Sequence, residues 1–174
     1  KAAYAAEPNP SIEVRLERIG RIEKMIKANE EKLCKALTAD FGVRHPSETR
    51  LAEFQMVYQA CAFIRKHLQD WMKPVPMETP SYLGFSEAWI ESQSIGVVGI
   101  ISPWNYPFLL TISPLIYAIA GGNTAFVKPS EETPHTSLVI EQMISETFEE
   151  SYIKVIQGIG QETIPMLMSN RFDH

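Results

Sequence analysis

The chain of 174 residues is long enough for one domain with a substantial core, and its 45% hydrophobic and 21% charged residues are ordinary for a globular protein. The formal net charge of −5, without a basic stripe, argues against a nucleic-acid partner. The longest apolar stretch, residues 108–120, is too short to span a bilayer, and no secretory signal is visible.

The amino-terminal part of the chain is predicted to be mainly helical. Ser11 is a plausible N-cap for an amphipathic helix with opposite apolar and charged faces: Ile12, Leu16, Ile19, Ile22 and Ile26 on one, and Glu13, Arg15, Glu17, Arg18 and Lys24 on the other. Asn29 is predicted to cap a second segment that ends at residues 40–42, and a long helix is predicted over residues 46–71. These patterns favour core packing, with coiled-coil assembly as the alternative.

Residues 74–86 contain prolines, serines and a glycine and predict a connector. The alternating segment from Glu87 to Gln93 predicts a lone strand outside the main sheet. Because such a strand needs a partner, it is a candidate edge for oligomerisation.

The stretch over residues 94–131 predicts a βαβ unit that organises the chain. The apolar run from Ile95 to Ile101 is short and β-branched, which is typical of a strand buried on both faces. Pro107 suits the first turn of the helix that follows, and Gly121-Gly122-Asn123 ends it. A second strand is predicted over Thr124–Val127.

Three polar residues fall where these strands end: Asn105, Lys128 and Glu131. In open parallel sheets, ligands bind beyond the carboxyl ends of the strands. From the residues alone, Asn105 can equally donate to a ligand or cap the helix at Pro107. Lys128 and Glu131 can likewise bind a ligand or form a solvated charge pair in a loop.

The rest of the chain predicts a continued α/β fold. A helix is expected from Thr133 to about Phe148, a third strand over Ile153–Gln157 and a helix over Gln161–Met168. Residues 169–174 are expected to enter a further strand, so we expect the natural protein to continue.

The sequence predicts no metal site. Cys34 and Cys61 lie within helical patterns without metal-ligand spacing, and a reducing compartment, hence a cytoplasmic location, is the simplest interpretation. The histidines show no mutual spacing for a metal or for catalysis: His45, His67, His135 and His174.

Four short motifs, in this order and spacing, resemble the aldehyde dehydrogenase superfamily: Pro103-Trp104-Asn105-Tyr106-Pro107, Gly121-Gly122-Asn123-Thr124, Lys128-Pro129-Ser130-Glu131 and Arg171-Phe172-Asp173-His174. The likeness covers essentially the whole chain and is greatest to the class 3 or fatty-aldehyde branch, nearest to coniferyl aldehyde dehydrogenases. It implies amino-terminal helices (1–81), an oligomerisation strand and connector (82–93), and the first part of a Rossmann-like NAD(P)-binding sheet (94–174). The fold is thus expected to be truncated before the catalytic domain.

The resemblance implies oxidation of an aldehyde to the carboxylic acid with NAD(P). Aromatic or long-chain aliphatic aldehydes are the expected substrates, coniferyl aldehyde among them. In the family a cysteine thiolate adds to the aldehyde, hydride passes to the cofactor, and a glutamate-activated water hydrolyses the thioester. Those two residues and the cofactor turn of the family lie beyond residue 174, so the chain alone is expected to be inactive. The family lacks the Gly-x-Gly-x-x-Gly loop, and Gly96 and Gly99 lie inside a strand here.

The resemblance also implies the site residues. Asn105 matches the oxyanion-hole asparagine, and Lys128 and Glu131 match the residues that hold the adenosine ribose. The segment lining the nicotinamide half of the cleft matches Ile101, Ser102, Pro103 and Trp104, although Trp104 can equally be a core aromatic. Tyr106 matches the aldehyde tunnel. The Glu131 carboxylate favours NAD over NADP without excluding it, and the likeness suggests a homodimer through residues 87–93.

Two other classes of function stay open. One is a non-catalytic nucleotide-binding or interaction fragment that lacks the nucleophile. The other is a helical adaptor, which would have no reason to carry Asn105, Lys128 and Glu131 at strand ends.

Overall fold

The computed structural model describes residues 1–174 and shows an α/β fold, as predicted. The helices are α1 (Ala2–Ala6), α2 (Ile12–Phe41), α3 (Pro46–Thr49), α4 (Gln55–Trp71), α5 (Pro107–Ala120), α6 (Pro134–Thr147) and α7 (Gly160–Met168). The strands are β1 (Val75–Met77), β2 (Ala88–Ile90), β3 (Val97–Ile101), β4 (Thr124–Lys128) and β5 (Ile153–Val155). A π-helical turn, Arg50–Phe54, joins α3 to α4, and Ser81–Leu83 form a 3₁₀ turn. No helix has the length and apolar character needed to cross a membrane.

Helix α2 is continuous, so the prediction that Asn29 caps a separate segment is wrong. The Asn29 side chain donates to the Met25 carbonyl one turn earlier (2.9 Å), which is compatible with an uninterrupted helix. The predicted ends are confirmed: the Ser11 hydroxyl accepts from the Val14 amide (3.5 Å), and Gly42 follows the last turn with φ 77°. Apolar packing on both sides of Asn29 outweighs its low helix propensity.

Arg15 is buried, whereas its sequence neighbours predict a position on the charged face. Its guanidinium donates to the carbonyls of Pro10 and Ala120 (2.9 Å each) and to the Asn9 side chain (2.6 Å). The Ala120 carbonyl belongs to the last turn of α5, where a cation is favourable for the helix dipole. The hydrogen bonds of Arg15 to a distant helix end therefore outweigh the local polar pattern, which predicts an exposed side chain.

The main sheet is parallel with the order β3-β4-β5. Beyond β3, the carboxyl-terminal tail continues the sheet, since the Asp173 amide donates to Val97 O and the Gly99 amide to His174 O (2.9 Å each). The chain therefore runs from β3 through β4 to β5 in one direction and then returns to the free side of β3 with its tail. The boundary between β3 and the tail, where the strand order reverses, is the switch point of a doubly wound sheet. The expectation that residues 95–101 are buried on both faces is wrong, because the Ile95 and Ile101 side chains are half exposed.

Helices α5 and α6 cover one face of this sheet. Inward-facing residues of β3 and β4 join α2, α4, α5 and α6 in one hydrophobic core: Val98, Ile100, Ala125 and Val127. On the opposite face Phe126 packs edge-on against Phe172 of the tail, with ring centroids 5.7 Å apart. The strands thus alternate between a helix-covered face and one covered only in part.

The strand predicted at residues 87–93 is shorter than expected and is not alone. Strand β2 pairs antiparallel with β1, with Val75 opposite Ile90, so the predicted connector 74–86 contains its partner. Strand β1 is not predicted from the sequence because Pro74 and Pro76 are unfavourable in a central strand. Proline is nevertheless compatible with an edge strand, in which its missing N–H has no partner strand to bond. Every residue of both strands is exposed, and the role of this ribbon in oligomerisation stays a prediction.

Asp40, at the end of α2, caps the amino terminus of α6. Its carboxylate accepts from the amides of His135 (3.0 Å) and Thr136 (2.8 Å) and from the Thr136 hydroxyl (2.6 Å). The capping residue therefore comes from a different helix rather than from Thr133, which makes no side-chain cap of its own. This contact ties the carboxyl end of α2 to the start of α6.

We expect Asp40→Ala to lower the free energy of unfolding by about 1–2 kcal/mol, because it removes the acceptor of three hydrogen bonds at a helix start. Urea denaturation followed by circular dichroism measures the change. Asp70→Ala is the matched control, since Asp70 is an exposed acid on α4 that pairs only with Lys73, and little change is expected there. Equal midpoints for the two variants would contradict the capping role of Asp40.

Candidate functional site

Asn105 lies in the loop between β3 and α5 and is exposed. Its side-chain amide has no hydrogen-bond partner within the chain, whereas its backbone carbonyl accepts from Arg44 (3.1 Å). The N-cap position of α5 belongs to Tyr106, which makes no side-chain cap. The alternative that Asn105 caps this helix is therefore excluded, and the amide is available to a ligand.

Glu53 caps α5 instead. One carboxylate oxygen accepts from the amides of Phe108 (2.8 Å) and Leu109 (3.0 Å), and the other lies 2.6 Å from the Arg44 guanidinium. The residue is fully buried, and this burial raises the pKa of Glu53, against the opposing effects of the Leu109 amide, Arg44 and the Phe108 amide. The carboxylate thus has partners on both oxygens, as a buried charge requires.

Sequence reasoning missed Glu53, although a signal exists. The residue lies four and eight positions before Val57 and Cys61, on the buried stripe of the predicted helix 46–71. A charged residue at such a position needs a partner in the fold. The partners themselves, Arg44 and the start of α5, are not readable from this pattern.

The residues predicted to line the nicotinamide half of the cleft form one continuous surface segment. Ile101, at the end of β3, is half exposed, and Pro103 is exposed. Trp104 is 55% exposed, so the interpretation as a core aromatic is wrong. Ser102 is buried with a hydroxyl that has no hydrogen-bond partner, and Tyr106 is exposed beside Asn105. A buried hydroxyl without a partner is a donor and acceptor available to a bound group.

Lys128 and Glu131 form an ordered pair rather than a solvated one. Lys128 is only 2% exposed, and its ammonium donates to Glu131 Oε2 (2.6 Å) and to Pro129 O (3.2 Å). Glu131 Oε1 accepts from the Gly160 amide, the first of α7 (2.6 Å). The alternative of a solvated loop pair is therefore wrong for Lys128.

The environment of Glu131 holds it ionised. The hydrogen bond from Lys128, followed by those from the backbone amides of Glu131 and Gly160, lowers the pKa of Glu131 to about 2. Its side chain is 36% exposed, and each carboxylate oxygen keeps a lone pair after the observed bonds. The pair therefore fits a ribose diol, because outward acceptor positions are available and Lys128 keeps one donor.

The structure brings the two predicted segments together. Ile101 is the register partner of Lys128, and the Ser102 amide donates to the Lys128 carbonyl (3.0 Å). The segment from Ile101 to Trp104 and the Lys128–Glu131 pair therefore follow neighbouring strands at the same carboxyl edge. This adjacency follows from parallel pairing of β3 and β4.

Helices α5, α6 and α7 each receive a carboxylate of the chain itself at their amino termini, from Glu53, Asp40 and Glu131 respectively. A free helix amino terminus is a ready site for a phosphate. Since these three are already capped, the phosphates of a dinucleotide need other donors. The arrangement agrees with the absence of a Gly-x-Gly-x-x-Gly loop.

Neither cysteine suits nucleophilic catalysis. Cys34 and Cys61 are buried in the core, and burial raises the pKa of both thiols, that of Cys61 to about 12. A nucleophilic cysteine must reach the thiolate form near neutral pH. The chain thus contains an exposed free amide at Asn105 and an ordered Lys128–Glu131 pair, but no reactive thiol. No group of three acidic, histidine or cysteine side chains could hold a metal ion.

The stability of the protein should depend on Glu131 in acid. Because its folded pKa, about 2, is below the ordinary 4.5, its stabilising effect is present above pH 4.5 and is lost as the pH falls towards 2. We expect Glu131→Gln to lower the free energy of unfolding by under about 1 kcal/mol at neutral pH, because the side chain is partly exposed. The loss should be smaller in acid, where the wild-type carboxylate also becomes neutral. Urea midpoints of both proteins across this range test it, and parallel curves would contradict it.

Known proteins share both the sequence and the fold of this chain. Residues 1–172 match the model of the aldehyde dehydrogenase family. The chain is 38% identical over its whole length to 4,4'-diaponeurosporen-aldehyde dehydrogenase of Staphylococcus aureus, and 37% identical to a probable coniferyl aldehyde dehydrogenase of Caulobacter vibrioides. It spans 38% and 36% of those relatives.

The fold is likewise shared with a solved structure. The substrate-bound state of Staphylococcus aureus AldH superposes with a TM-score of 0.89 at 38% sequence identity, over 96% of this chain and 36% of that one. The chain belongs to the aldehyde dehydrogenase family.

Proposed function

We propose that this chain is the amino-terminal portion of an NAD(P)-dependent aldehyde dehydrogenase. The proposed reaction oxidises an aromatic or long-chain aliphatic aldehyde, coniferyl aldehyde among them, to the carboxylic acid. The carrying observation is the free, exposed Asn105 amide at the same sheet edge as the Lys128–Glu131 pair. The relatives named for coniferyl and diaponeurosporen aldehydes support this range of substrates.

In the proposed mechanism, the Asn105 amide donates to the aldehyde oxygen as negative charge develops on it. A neutral amide suits this role because its N–H is fixed and stays protonated at every relevant pH. The capping of α5 by Glu53 supports the role, since it leaves the Asn105 side chain without an internal partner. Tyr106, exposed next to it, is proposed to line the path of the aldehyde.

The cofactor is proposed to lie along the carboxyl edge of β3 and β4. Glu131 and Lys128 would hold the adenosine ribose, and Ile101, Ser102, Pro103 and Trp104 the nicotinamide side. When bound, NAD(P) supplies the acceptor for the hydride. The ionised Glu131 carboxylate disfavours an extra phosphate on the ribose, which supports a preference for NAD over NADP.

Other parts of the proposal concern the whole protein. The nucleophilic cysteine and the general-base glutamate are proposed to lie outside these 174 residues, so that the chain alone is inactive. The exposed β1–β2 ribbon is proposed to pair in a homodimer, since its strands have free edges. Two free cysteines in the core support a cytoplasmic location.

In the full-length protein we expect Asn105→Ala to lower kcat by on the order of 10²–10³, as loss of one oxyanion donor does. The Kd for the cofactor should barely change. NADH absorbance measures kcat with coniferyl aldehyde and a long-chain aldehyde, and fluorescence titration measures the Kd. Asn29→Ala on α2 is the control, because this residue bonds only within its helix, and its kcat should be unchanged.

A near wild-type kcat for Asn105→Ala, where hydride transfer limits the rate, would exclude the oxyanion role. If the full-length protein binds the cofactor but forms no NADH with any aldehyde, the alternative is favoured, in which this chain belongs to a non-catalytic nucleotide-binding protein.

We expect the wild-type protein to have a higher kcat/KM with NAD than with NADP. Glu131→Gln should lower the ratio of the two kcat/KM values by about tenfold, or ~1.4 kcal/mol. The amide keeps an oxygen for the Gly160 amide but removes the repulsion of the ribose phosphate. Lys128→Ala should weaken both cofactors. Measuring kcat/KM with NAD and NADP for the three proteins tests this, and an unchanged ratio in Glu131→Gln would show that this carboxylate does not discriminate.

A further inference from the structure

Arg44, in the segment between α2 and α3, contacts the Asn105 loop directly. Its Nη2 donates to the Asn105 carbonyl (3.1 Å), and its Nη1 lies 2.6 Å from Glu53 Oε1. The guanidinium carbon is 4.1 Å from the ring centroid of Phe41 and 5.3 Å from that of Tyr106. The side chain is only 10% exposed. The two aromatic rings contact the guanidinium, and its N–H groups donate to Glu53 and Asn105.

These contacts tie the Asn105 backbone to the start of α5. The guanidinium is planar, so the bonds to Asn105 and Glu53 leave it at a fixed angle. The second oxygen of Glu53 accepts from the Phe108 and Leu109 amides. One carboxylate therefore links the Arg44 fork to the first turn of the helix through charge-assisted hydrogen bonds.

The bond to the Asn105 backbone matters because the Asn105 side chain has no partner of its own. The direction of a free side chain is set by the position of its backbone and by its rotamer. A displacement of about 1 Å at a catalytic group can lower a rate on the order of 10²-fold. A contact that fixes the Asn105 carbonyl thus controls where the amide is presented.

We propose that Arg44 is a positioning residue for the oxyanion donor: it holds the Asn105 backbone, and Glu53 in turn holds Arg44. This inference rests on the proposed function, because it requires that Asn105 contacts the reacting oxygen. Arg44 itself touches neither the aldehyde nor the cofactor.

The test uses the full-length protein and the variant Arg44→Met. Methionine keeps an unbranched apolar stem between Phe41 and Tyr106 but removes both donors. We expect kcat with a saturating aldehyde to fall by about 10- to 100-fold, with the Kd for NAD unchanged. Hydrogen–deuterium exchange of the amides over residues 102–110 should become faster, which reports on the loop independently of activity.

Arg65→Met is the matched control. Arg65 also pairs with a glutamate of another helix, since its Nη2 lies 2.5 Å from Glu23 Oε2, but this more exposed pair joins α4 to α2 away from the Asn105 loop. We expect its kcat to change by less than about twofold and amide exchange over residues 102–110 to match wild type. Arg44→Lys is the second variant. It retains a cation for Glu53 and so protects folding, but it lacks the planar fork that places two separate donors on Glu53 and Asn105, and a smaller fall in kcat is expected.

A double-mutant cycle separates positioning from a general structural role. In an Asn105→Ala background, adding Arg44→Met should cause no further loss of kcat, because the group that it positions is already absent. If Arg44→Met and Arg44→Lys keep wild-type kcat while Asn105→Ala lowers it, the inference is wrong and the proposed function stands. An equal loss from Arg44→Met in both backgrounds would also overturn it. If Asn105→Ala itself has no effect, the oxyanion role fails, and the inference with it.

Discussion

The buried carboxylate of Glu53 is the interaction on which the site depends. An ionised carboxylate in the core is costly unless both oxygens have partners. Here the α5 amides, the positive end of the helix dipole and the Arg44 guanidinium provide them. Because Glu53 caps α5, Asn105 does not. Arg44, which pairs with Glu53, also donates a hydrogen bond to the Asn105 carbonyl. A single capping contact therefore joins the stability of α5 to the presentation of the free amide.

The same solution recurs around the carboxyl edge of the sheet. Asp40 caps α6 and Glu131 caps α7, so three successive crossover helices begin at a carboxylate from elsewhere in the chain. In each case the acid is placed by another element, and the helix start is anchored to that element. One consequence is that the usual phosphate site of a Rossmann fold is taken at these three helices. The cofactor is recognised in our proposal through the ribose pair and the nicotinamide segment.

The opposite edge of the sheet is built with a different set of polar groups. The Arg15 guanidinium donates to the Ala120 carbonyl at the end of α5, and the Asn123 side chain accepts from the Ile95 and Gly96 amides. These groups satisfy backbone atoms and have no side chain free for a ligand. Arg15 and Asn123 thus have structural roles at the amino edge, whereas the exposed Asn105 and Glu131 lie at the carboxyl edge, where open α/β sheets bind ligands.

The sequence by itself determined the elements that depend on neighbouring residues: the Ser11 cap, the Gly42 end, the α5 start at Pro107 and the strand that delivers Lys128. It also placed Asn105 at a strand end, because periodicity and turn chemistry are local. Only the tertiary structure decided that Asn105 is not a cap, that Arg15 is buried, that β1 pairs with β2, and that Arg44 and Glu53 reach the site. The bonds that bring Glu53 and Arg44 to the site join residues 55 and 61 positions apart, and the bond from Arg15 to Ala120 joins residues 105 positions apart. Such contacts depend on how helices pack, and no local pattern of one chain encodes which distant partner satisfies a charge.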